Sequence, residues 1–323
     1  MTKSKKRNKK RKVKIQNIKI SAISLQCAGL NSKLQSFDRV LFEVSPSLVF
    51  MQETKVNKAI KTKFTDNYQI FQLARTNSKG GGVALLALKH LQPVLIREGD
   101  DDAEAISVMI ETNTLKVRCV VGYTQEKYNI NQKEKFWNFL SKEVIGAEQE
   151  GQGLLIQMDS NAHAGSSMLP HDMIPQNNNG KLLLAFVAQH PSISVVNAMD
   201  LCEGTVTRIR ETVKTVERST IDFFLVNTIL KPFITKMTID TQKEFGLTNY
   251  AQMKTNKKAI QSDHCPMKLE MDIQYSNIKP KRIEHFNLRN KVCQESFKDE
   301  TDKSKIFEDC FENISTPMTQ IKK

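Results

Sequence analysis

The sequence lacks the features that hold together several common classes of protein. Its six cysteines are scattered with no C-x-x-C pair, which argues against a zinc ribbon, a thioredoxin-type site and a disulfide framework alike. No run of about 18 apolar residues occurs, so we expect no membrane-spanning helix and no membrane partner. No apolar segment follows the charged start, so no secretory signal is expected. These absences predict a soluble intracellular protein with reduced thiols.

Two stretches resemble ligand-binding loops without having the spacing that such loops require. Residues 80–82 are consecutive glycines, but no G-x-x-x-x-G-K-[ST] is present and the glycines lead into a predicted strand, so we expect a turn there. Residues 159–163 read DSNAH, yet the following residues do not place glycine and glutamate where a calcium-binding loop needs them. The sequence therefore predicts neither a phosphate loop nor a calcium loop.

Positive charge is in clear excess, since 48 lysines and arginines against 35 acidic residues give a net charge of +13. Residues 3–14 (KSKKRNKKRKVK) contain no acidic residue. Such a run repels itself, so we predict that residues 1–13 form a disordered basic arm that binds a polyanion or directs the protein to the nucleus. Its candidate substrate-binding residues are Lys5, Lys6 and Arg7. The alternative is a tail that only improves solubility.

Apolar patterning predicts a sheet-rich fold with few helices. Short continuous apolar runs at residues 48–51, 154–158 and 221–226 are typical of buried strands, and further strands are expected at 104–110, 116–121, 193–196 and 205–207. Helical spacing of apolar residues predicts helices at 38–44, 131–145 and 181–190. Because several strands follow one another directly, we predict an α+β sandwich in which two mixed β-sheets pack face to face with helices on the outside.

Acidic and proton-handling side chains stand where these strands end. In chain order they are Glu53, Tyr123, Asp159 with Asn161, Asp222, and Asp263 with His264. Loops that leave buried strands commonly carry catalytic groups. Oxygen ligands for Mg²⁺, an aspartate that activates water, and a histidine and an asparagine that stabilise phosphoryl charge suit metal-assisted phosphodiester hydrolysis. Taken singly, each residue is also explained by a solvated turn or a surface ion pair.

As an ordered set, these motifs resemble the endonuclease/exonuclease/phosphatase superfamily, and within it the endonuclease domain of non-LTR (LINE-type) retrotransposons, which is related to apurinic/apyrimidinic endonucleases. The motifs are MQET (51–54), SKGGGVA (78–84), GY (122–123), DSNAH (159–163), NGKL (179–182), STIDF (219–223) and SDH (262–264). The resemblance implies a deoxyribonuclease-like four-layer domain over residues 14–275. Residues 276–323 look like the linker before a reverse transcriptase, and we expect them to be helical or partly disordered.

The resemblance also implies roles for the strand-end residues. Glu53 would bind Mg²⁺ or Mn²⁺, with Asp263 nearby, and Asp159 would orient or deprotonate the attacking water. The residues expected to act on the scissile phosphate are Tyr123, Asn161, and His264 oriented by Asp222. The residues expected to contact double-stranded DNA are Gln26, Asn31 and Thr207. A reverse transcriptase segment absent from this chain is the other expected partner.

Two departures from the superfamily pattern leave the activity open. Gln26 and Ala28 stand where members carry the polar residues of an N-x-N-G or N-x-D-G motif, and Met158 replaces the glycine before Asp159. These changes predict an intact fold with impaired catalysis. Three functions therefore follow from the sequence: a magnesium-dependent DNA-nicking endonuclease, a catalytically weakened relic that binds nucleic acid, or another phosphoesterase acting on RNA tails, lipids or inositol phosphates.

Overall fold

The computed structural model describes residues 19–76, 80–212, 214–249 and 260–273. The predicted basic arm and the predicted C-terminal linker lie outside these ranges, as does the predicted contact of Lys5, Lys6 and Arg7 with DNA. Within the described ranges, the helices are too short or too polar to cross a membrane.

In the part of the chain that the structure describes, the first sheet contains seven strands and has both parallel and antiparallel pairs. In spatial order they are β10 (Cys202–Glu203), β14 (Ile234–Ile239), β17 (Met267–Met271), β1 (Ile20–Gln26), β2 (Leu48–Gln52), β4 (Val83–Leu88) and β3 (Tyr68–Leu73). β1 pairs with β2 in parallel, whereas β17 pairs with β1 and β4 pairs with β2 in the antiparallel direction.

Within the described residues, the second sheet contains six strands and is also mixed. In spatial order they are β5 (Val94–Asp100), β6 (Ala103–Glu111), β7 (Lys116–Tyr123), β8 (Gly153–Asp159), β13 (Asp222–Asn227) and β9 (Ile193–Val195). The β7–β8 pair is parallel, and the other pairs among these six strands are antiparallel. A separate two-stranded hairpin is formed by β11 (Arg208–Glu211) and β12 (Val216–Ser219), and a short pair by β15 (Thr248–Asn249) and β16 (Ile260–Gln261).

The two sheets pack face to face, and helices cover their outer faces. Along β2, alternate residues point to opposite sides, so Phe50 enters the core between the sheets while Met51 packs under α1 (Leu34–Val44). The rings of Phe50 and Phe224 meet edge to face across the two sheets, 6.0 Å apart. Helices α2 (Ile130–Gln149) and α3 (Asn178–Gln189) cover the second sheet. The predicted four-layer α+β sandwich is confirmed.

Some element boundaries differ from the sequence prediction. α1 begins at Leu34, four residues before the predicted start, because the short 3₁₀ turn Asn31–Lys33 leads directly into it. The strand predicted at residues 205–207 is wrong, since the strand of that region begins at Arg208. α2 is longer than predicted at both ends, and a capping box formed by Asn129 and Gln132 defines its start.

Candidate active site

The predicted site residues meet at one edge of the two sheets. The parallel pair β1–β2 in the first sheet delivers Gln26 and Glu53 to its carboxyl end, and the parallel pair β7–β8 in the second sheet delivers Tyr123 and Asp159. β13 runs antiparallel to β8, and this register places Asp222 directly opposite Asp159. Hydrogen bonds that cross from one sheet to the other join these strand ends into one site.

Glu53 and Tyr123 make the first contact between the sheets at this edge. The hydroxyl of Tyr123 donates to Oε1 of Glu53 at 2.6 Å, and Nζ of Lys55 lies 2.9 Å from Oε2. Glu53 has a φ of 47°, in the left-handed region that few non-glycine residues adopt. Burial alone would raise the pKa of Glu53, but the hydrogen bonds from Tyr123 and Lys55 outweigh it and lower that pKa. The Glu53 carboxylate is therefore ionised at neutral pH.

Asp159, Asp222 and His264 form a buried cluster beside this contact. Nδ1 of His264 lies 2.9 Å from Oδ2 and 3.0 Å from Oδ1 of Asp222. One ligand atom from each of the three residues lies within 4.8 Å of the other two. The side-chain amide of Gln26 reaches the cluster from the first sheet and donates to Oδ2 of Asp159 at 2.5 Å. The contact with Asp222 holds the imidazole ring so that Nε2 points to the opposite side.

Burial and mutual charge shift the pKa values of this cluster. Burial, followed by the charge of Asp222, raises the pKa of Asp159. Burial alone would lower the pKa of His264, but Asp222 and Asp159 raise it to about 9. His264 is therefore a cation with two N–H donors at neutral pH. Burial, and then the charges of Asp159 and Glu53, raises the pKa of Tyr123, so its phenol stays protonated.

Asn161 lies in a turn that a second asparagine braces. Its φ is 47°, its backbone N–H donates to Oδ1 of Asp159 at 3.2 Å, and its side-chain amide donates to the carbonyl of Thr124 at 3.0 Å. The side chain of Asn177 donates to the carbonyl of Asn161 at 2.8 Å and accepts from the backbone N–H of His163. Asn177 also caps the start of α3. The turn is thereby held against the end of β8.

Thr207 lies beside the start of β13. Its side chain is fully buried, and its hydroxyl accepts hydrogen bonds from the backbone N–H groups of Ile221 at 3.0 Å and Asp222 at 3.1 Å. Thr207 thereby positions the start of β13, and with it the carboxylate that holds His264. The predicted DNA contact of Thr207 stays a prediction.

Asp263 and Asn31 lie at the rim of the site. Oδ2 of Asp263 accepts from Nε of Arg208 at 2.8 Å in a partly exposed ion pair. Burial alone would raise the pKa of Asp263, but His264 and Arg208 lower it. Asn31 is exposed, and the loop before it is tied to the site because the N–H of Gly29 donates to the carbonyl of Glu53 at 2.8 Å. The predicted metal contact of Asp263 and the predicted DNA contact of Asn31 stay predictions.

Two lysines near Glu53 were not among the predicted site residues. Lys55 pairs with Glu53 directly, and the buried ammonium of Lys33 donates to the carbonyl of Cys27 at 2.5 Å. Burial lowers the pKa of Lys33. The site was predicted from acidic residues at strand ends, so the basic residues next to them were not included. The signal for Lys55 is its position two residues after Glu53.

The donors around Glu53 fit a divalent cation that prefers oxygen ligands. Oε1 of Gln26 is buried and has no hydrogen-bond partner in the described part of the chain. The side-chain amide of the same residue donates to Asp159, and the charge of Glu53 is close enough to raise the pKa of Asp159. Amide and carboxylate oxygens are the ligands of Mg²⁺ and Mn²⁺. His264 fits ligation less well, because a protonated imidazole has no lone pair to offer a metal. The amide and carboxylate oxygens therefore suit cation binding, whereas the protonated His264 suits hydrogen-bond donation.

Solved structures show which known folds this chain is similar to. The endonuclease domain of TRAS1, a telomere-specific non-LTR retrotransposon, superposes with a TM-score of 0.57 at 14% identity, covering 79% of this chain and 99% of that domain. The chain has the endonuclease/exonuclease/phosphatase fold. An AP endonuclease from Archaeoglobus fulgidus matches with a TM-score of 0.53 at 14% identity over 79% of this chain and 100% of that one.

A third structure with the endonuclease/exonuclease/phosphatase fold is the 3′ phosphatase NExo from Neisseria bound to product DNA hairpin. It matches with a TM-score of 0.57 at 14% identity, over 78% of this chain and 99% of its own. No family model and no curated protein sequence matches the chain. At this identity the likeness establishes the endonuclease/exonuclease/phosphatase fold alone, so the function rests on the residues of the site.

Proposed function

We propose that this chain is a magnesium-dependent phosphodiesterase that nicks double-stranded DNA. The observation that carries the proposal is the site edge itself. Predicted residues that lie far apart in the sequence converge there, with Tyr123 bonded to Glu53 and Asp222 bonded to His264. Hydrolysis of a phosphodiester requires a group that accepts a proton from water and groups that donate hydrogen bonds to the phosphate. This site holds such an acceptor together with an imidazolium and a phenol. The fold is one that nucleases and phosphatases share.

In this proposal Glu53 holds the ion together with the Gln26 amide oxygen, and Mn²⁺ can replace Mg²⁺. A bound Mg²⁺ supplies positive charge that polarises the phosphate and lowers the pKa of nearby acids. In its ionised form, which the positive charge of a bound cation would favour, Asp159 takes a proton from the attacking water, whose oxygen bonds to phosphorus while a phosphorus–oxygen ester bond breaks. The leaving oxygen takes a proton from solvent.

The remaining residues of the site stabilise charge. His264 stays protonated and donates from Nε2 to a phosphoryl oxygen as negative charge builds up, and Asp222 keeps the ring oriented through Nδ1. The phenol of Tyr123 and the amide of Asn161 bind the same phosphate. Each such donor contributes about a hundredfold or more to the rate.

Conversion of supercoiled plasmid to open circles tests the proposal. We expect nicking with Mg²⁺, none after chelation with EDTA, and a loss of at least about a hundredfold in Asp222→Asn and in His264→Ala. His171→Ala is the matched control, since that histidine is exposed and its Nε2 contacts the backbone carbonyl of Thr205. Full activity in either site variant contradicts the assignment.

A weakened relic that binds nucleic acid is the second candidate, and one observation favours it. The Gln26 amide already donates to Asp159, which is the oxygen donor that must receive a proton, and Ala28 offers no polar side chain. DNA binding without nicking in either Mg²⁺ or Mn²⁺ would establish this function. Hydrolysis of RNA tails, lipids or inositol phosphates without nicking would instead establish a phosphoesterase of another specificity.

The partners and the location follow from the same proposal. The excess of positive charge suits double-stranded DNA, since phosphate neutralisation supplies most non-specific affinity. We propose a nuclear location directed by the basic run in residues 3–14. We also propose that a reverse transcriptase segment acts with this chain, and co-expression of such a segment followed by affinity purification tests it.

A further inference from the structure

A buried ion pair lies behind the Glu53–Tyr123 contact, outside the residues that meet the phosphate in the proposed reaction. Arg75 follows β3 and pairs through Nη2 with Oε1 of Glu104 on β6, and their side chains are 5% and 0% exposed. The hydroxyl of Tyr128 donates to the same Oε1 at 2.6 Å and accepts from Nη2 of Arg75 at 2.6 Å. Buried charges need such partners, because an unpaired one costs several kcal/mol.

The Glu104 carboxylate also holds the backbone that flanks Glu53. Its Oε2 accepts from the N–H of Gly82 at 2.5 Å. The carbonyl of Gly82 in turn accepts from the N–H of Thr54 at 3.1 Å, and the carbonyl of Gly81 accepts from the N–H of Lys55 at 2.9 Å. Both Glu53 and Lys55 have a positive φ, 47° and 52°, a conformation that persists only where the surroundings enforce it.

The same pair contacts the other member of the Glu53–Tyr123 hydrogen bond. Glu104 lies directly across from Tyr123 in the β6–β7 pair. The guanidinium of Arg75 lies 5.9 Å from the ring centroid of Tyr123 and 5.7 Å from that of Tyr128. A Cβ at Gly81 would run into the side chains of both Arg75 and Glu104, so this glycine lets the backbone approach the pair.

We propose that the Arg75–Glu104 pair, with the Tyr128 hydroxyl, is a positioning unit that sets the distance between Glu53 and Tyr123. Through Gly82 it fixes the left-handed turn that carries Glu53, and through the β6–β7 pair and the guanidinium it fixes the ring of Tyr123. This inference rests on the proposed function for its effect on rate, but its structural effect is independent of any activity.

Glu104→Gln tests the unit, because glutamine keeps the size of the side chain and removes its charge. Glu143→Gln is the matched control: Glu143, on α2, is also fully buried and accepts from Arg118, Arg97 and the hydroxyl of Ser107, but these partners lie on β7, β5 and β6 away from the site edge. Both variants weaken a buried ion pair, so both lose stability. Only the first changes the turn at Glu53.

The first measurement is backbone hydrogen exchange in the full chain. We expect the amides of Gly82, Thr54 and Lys55 to exchange at least about tenfold faster in Glu104→Gln than in the control, because their hydrogen bonds form the chain from Glu104 to Glu53. Equal exchange at these amides in the two variants overturns the proposal.

The second measurement is the nicking rate per folded molecule, with kcat and KM determined separately. We expect kcat to fall at least about tenfold in Glu104→Gln with little change in KM, since a misplacement of about 1 Å costs up to about a hundredfold. Tyr128→Phe should fall less and Glu143→Gln not at all. An equal loss of kcat in Glu143→Gln overturns the inference. If the wild type nicks no DNA but the amides still exchange faster in Glu104→Gln than in the control, the proposed function is contradicted. The positioning unit is supported in that case.

Discussion

Gln26 reaches Asp159 across the gap between the two sheets, at the position where the sequence has a glutamine in place of an asparagine. The extra methylene lets the Gln26 amide donate to Oδ2 of Asp159 at 2.5 Å. That hydrogen bond favours the ionised carboxylate but occupies one of its oxygens. Ala28, two residues later, has a φ of 43° and no polar group. In the proposed reaction, the hydrogen bond from Gln26 therefore affects how freely Asp159 accepts a proton.

We expect Gln26→Asn combined with Ala28→Asn to nick DNA about tenfold faster or more, which equals about 1.4 kcal/mol off the barrier. Asparagine at position 26 is too short to keep the same contact, and asparagine at position 28 tolerates the left-handed backbone better than alanine does. Single-turnover nicking at saturating Mg²⁺ measures the effect. Gln69→Asn, at an exposed position of β3, is the control. A wild type as fast as the double variant shows that Gln26 serves the reaction as it stands.

The acid–histidine cluster predicts how stability depends on pH. His264 has a pKa raised from 6.5 to about 9, after Asp222 and Asp159 outweigh the opposing effect of burial, so the folded protein binds this proton more tightly than the unfolded chain. The contribution is complete below about pH 6.5 and is lost as pH rises through about 9. Asp159, whose pKa burial and Asp222 raise, acts in the same direction.

We therefore expect the free energy of unfolding, measured by urea titration, to fall between pH 6.5 and about 9. Asp222→Asn removes the main charge that raises the pKa of His264, so the fall should be smaller in this variant. His171→Gln should keep the wild-type pH dependence. A stability that rises over this interval would contradict the charged state assigned to His264.

Among the strands, those with two covered faces were predictable, and of the strands at the sheet edges β9 was predicted at residues 193–196 while β3 and β5 were not. β2 and β8 are buried along their whole length, and their continuous apolar runs indicated both strands. β3 and β5 lie at the edges of their sheets, where β3 is mostly half-buried and β5 is largely exposed, so they carry no comparable signal. The parallel pairs β1–β2 and β7–β8 bring Glu53, Tyr123 and Asp159 to one edge, whereas Asp222 reaches the same edge at the start of the antiparallel strand β13.

Contacts that depend on the turns between elements could not be predicted in the same way. The pairing of Lys55 with Glu53 depends on the left-handed backbone of both residues, which flank Thr54, and the alternation of apolar residues does not reveal this conformation. The bond between Gln26 and Asp159 joins residues 133 positions apart on different sheets. The burial of Thr207 follows from the chain path between β10 and β11, which sequence spacing does not define.

The segment that contains Thr207, before β13, gives a prediction about stability. Thr207→Val removes the acceptor of two buried N–H groups, so we expect a loss of about 1–3 kcal/mol in the free energy of unfolding. Nicking should fall as well, because the start of β13 carries Asp222. Thr235→Val, on an exposed hydroxyl of β14, is the matched control. Unchanged stability would show that water replaces the lost hydroxyl.

The charge of the whole molecule gives a prediction about DNA affinity. Residues 3–14 hold a dense run of positive charge within a chain of net charge +13. Deleting residues 1–14 should weaken binding to every DNA sequence and flatten its salt dependence, since each phosphate contact adds about 0.9 to the slope of log affinity against log salt. Fluorescence anisotropy over a salt series measures this, with a shuffled arm of equal composition as control. An unchanged slope would show that the arm contacts no phosphate.

The division of the site between two sheets has a mechanical consequence. Gln26 and Glu53 belong to one sheet, and Tyr123, Asp159 and Asp222 to the other, while the buried amides of Gln52 and Gln157 join the sheets below them. Sliding one sheet over the other would change the Gln26–Asp159 and Glu53–Tyr123 distances without breaking any strand pairing. Packed interiors resist compression and transmit strain. We therefore expect the reaction rate to change when the packing between the two sheets loosens. A weakened aromatic contact such as Phe50–Phe224 would alter the rate although no substrate touches it.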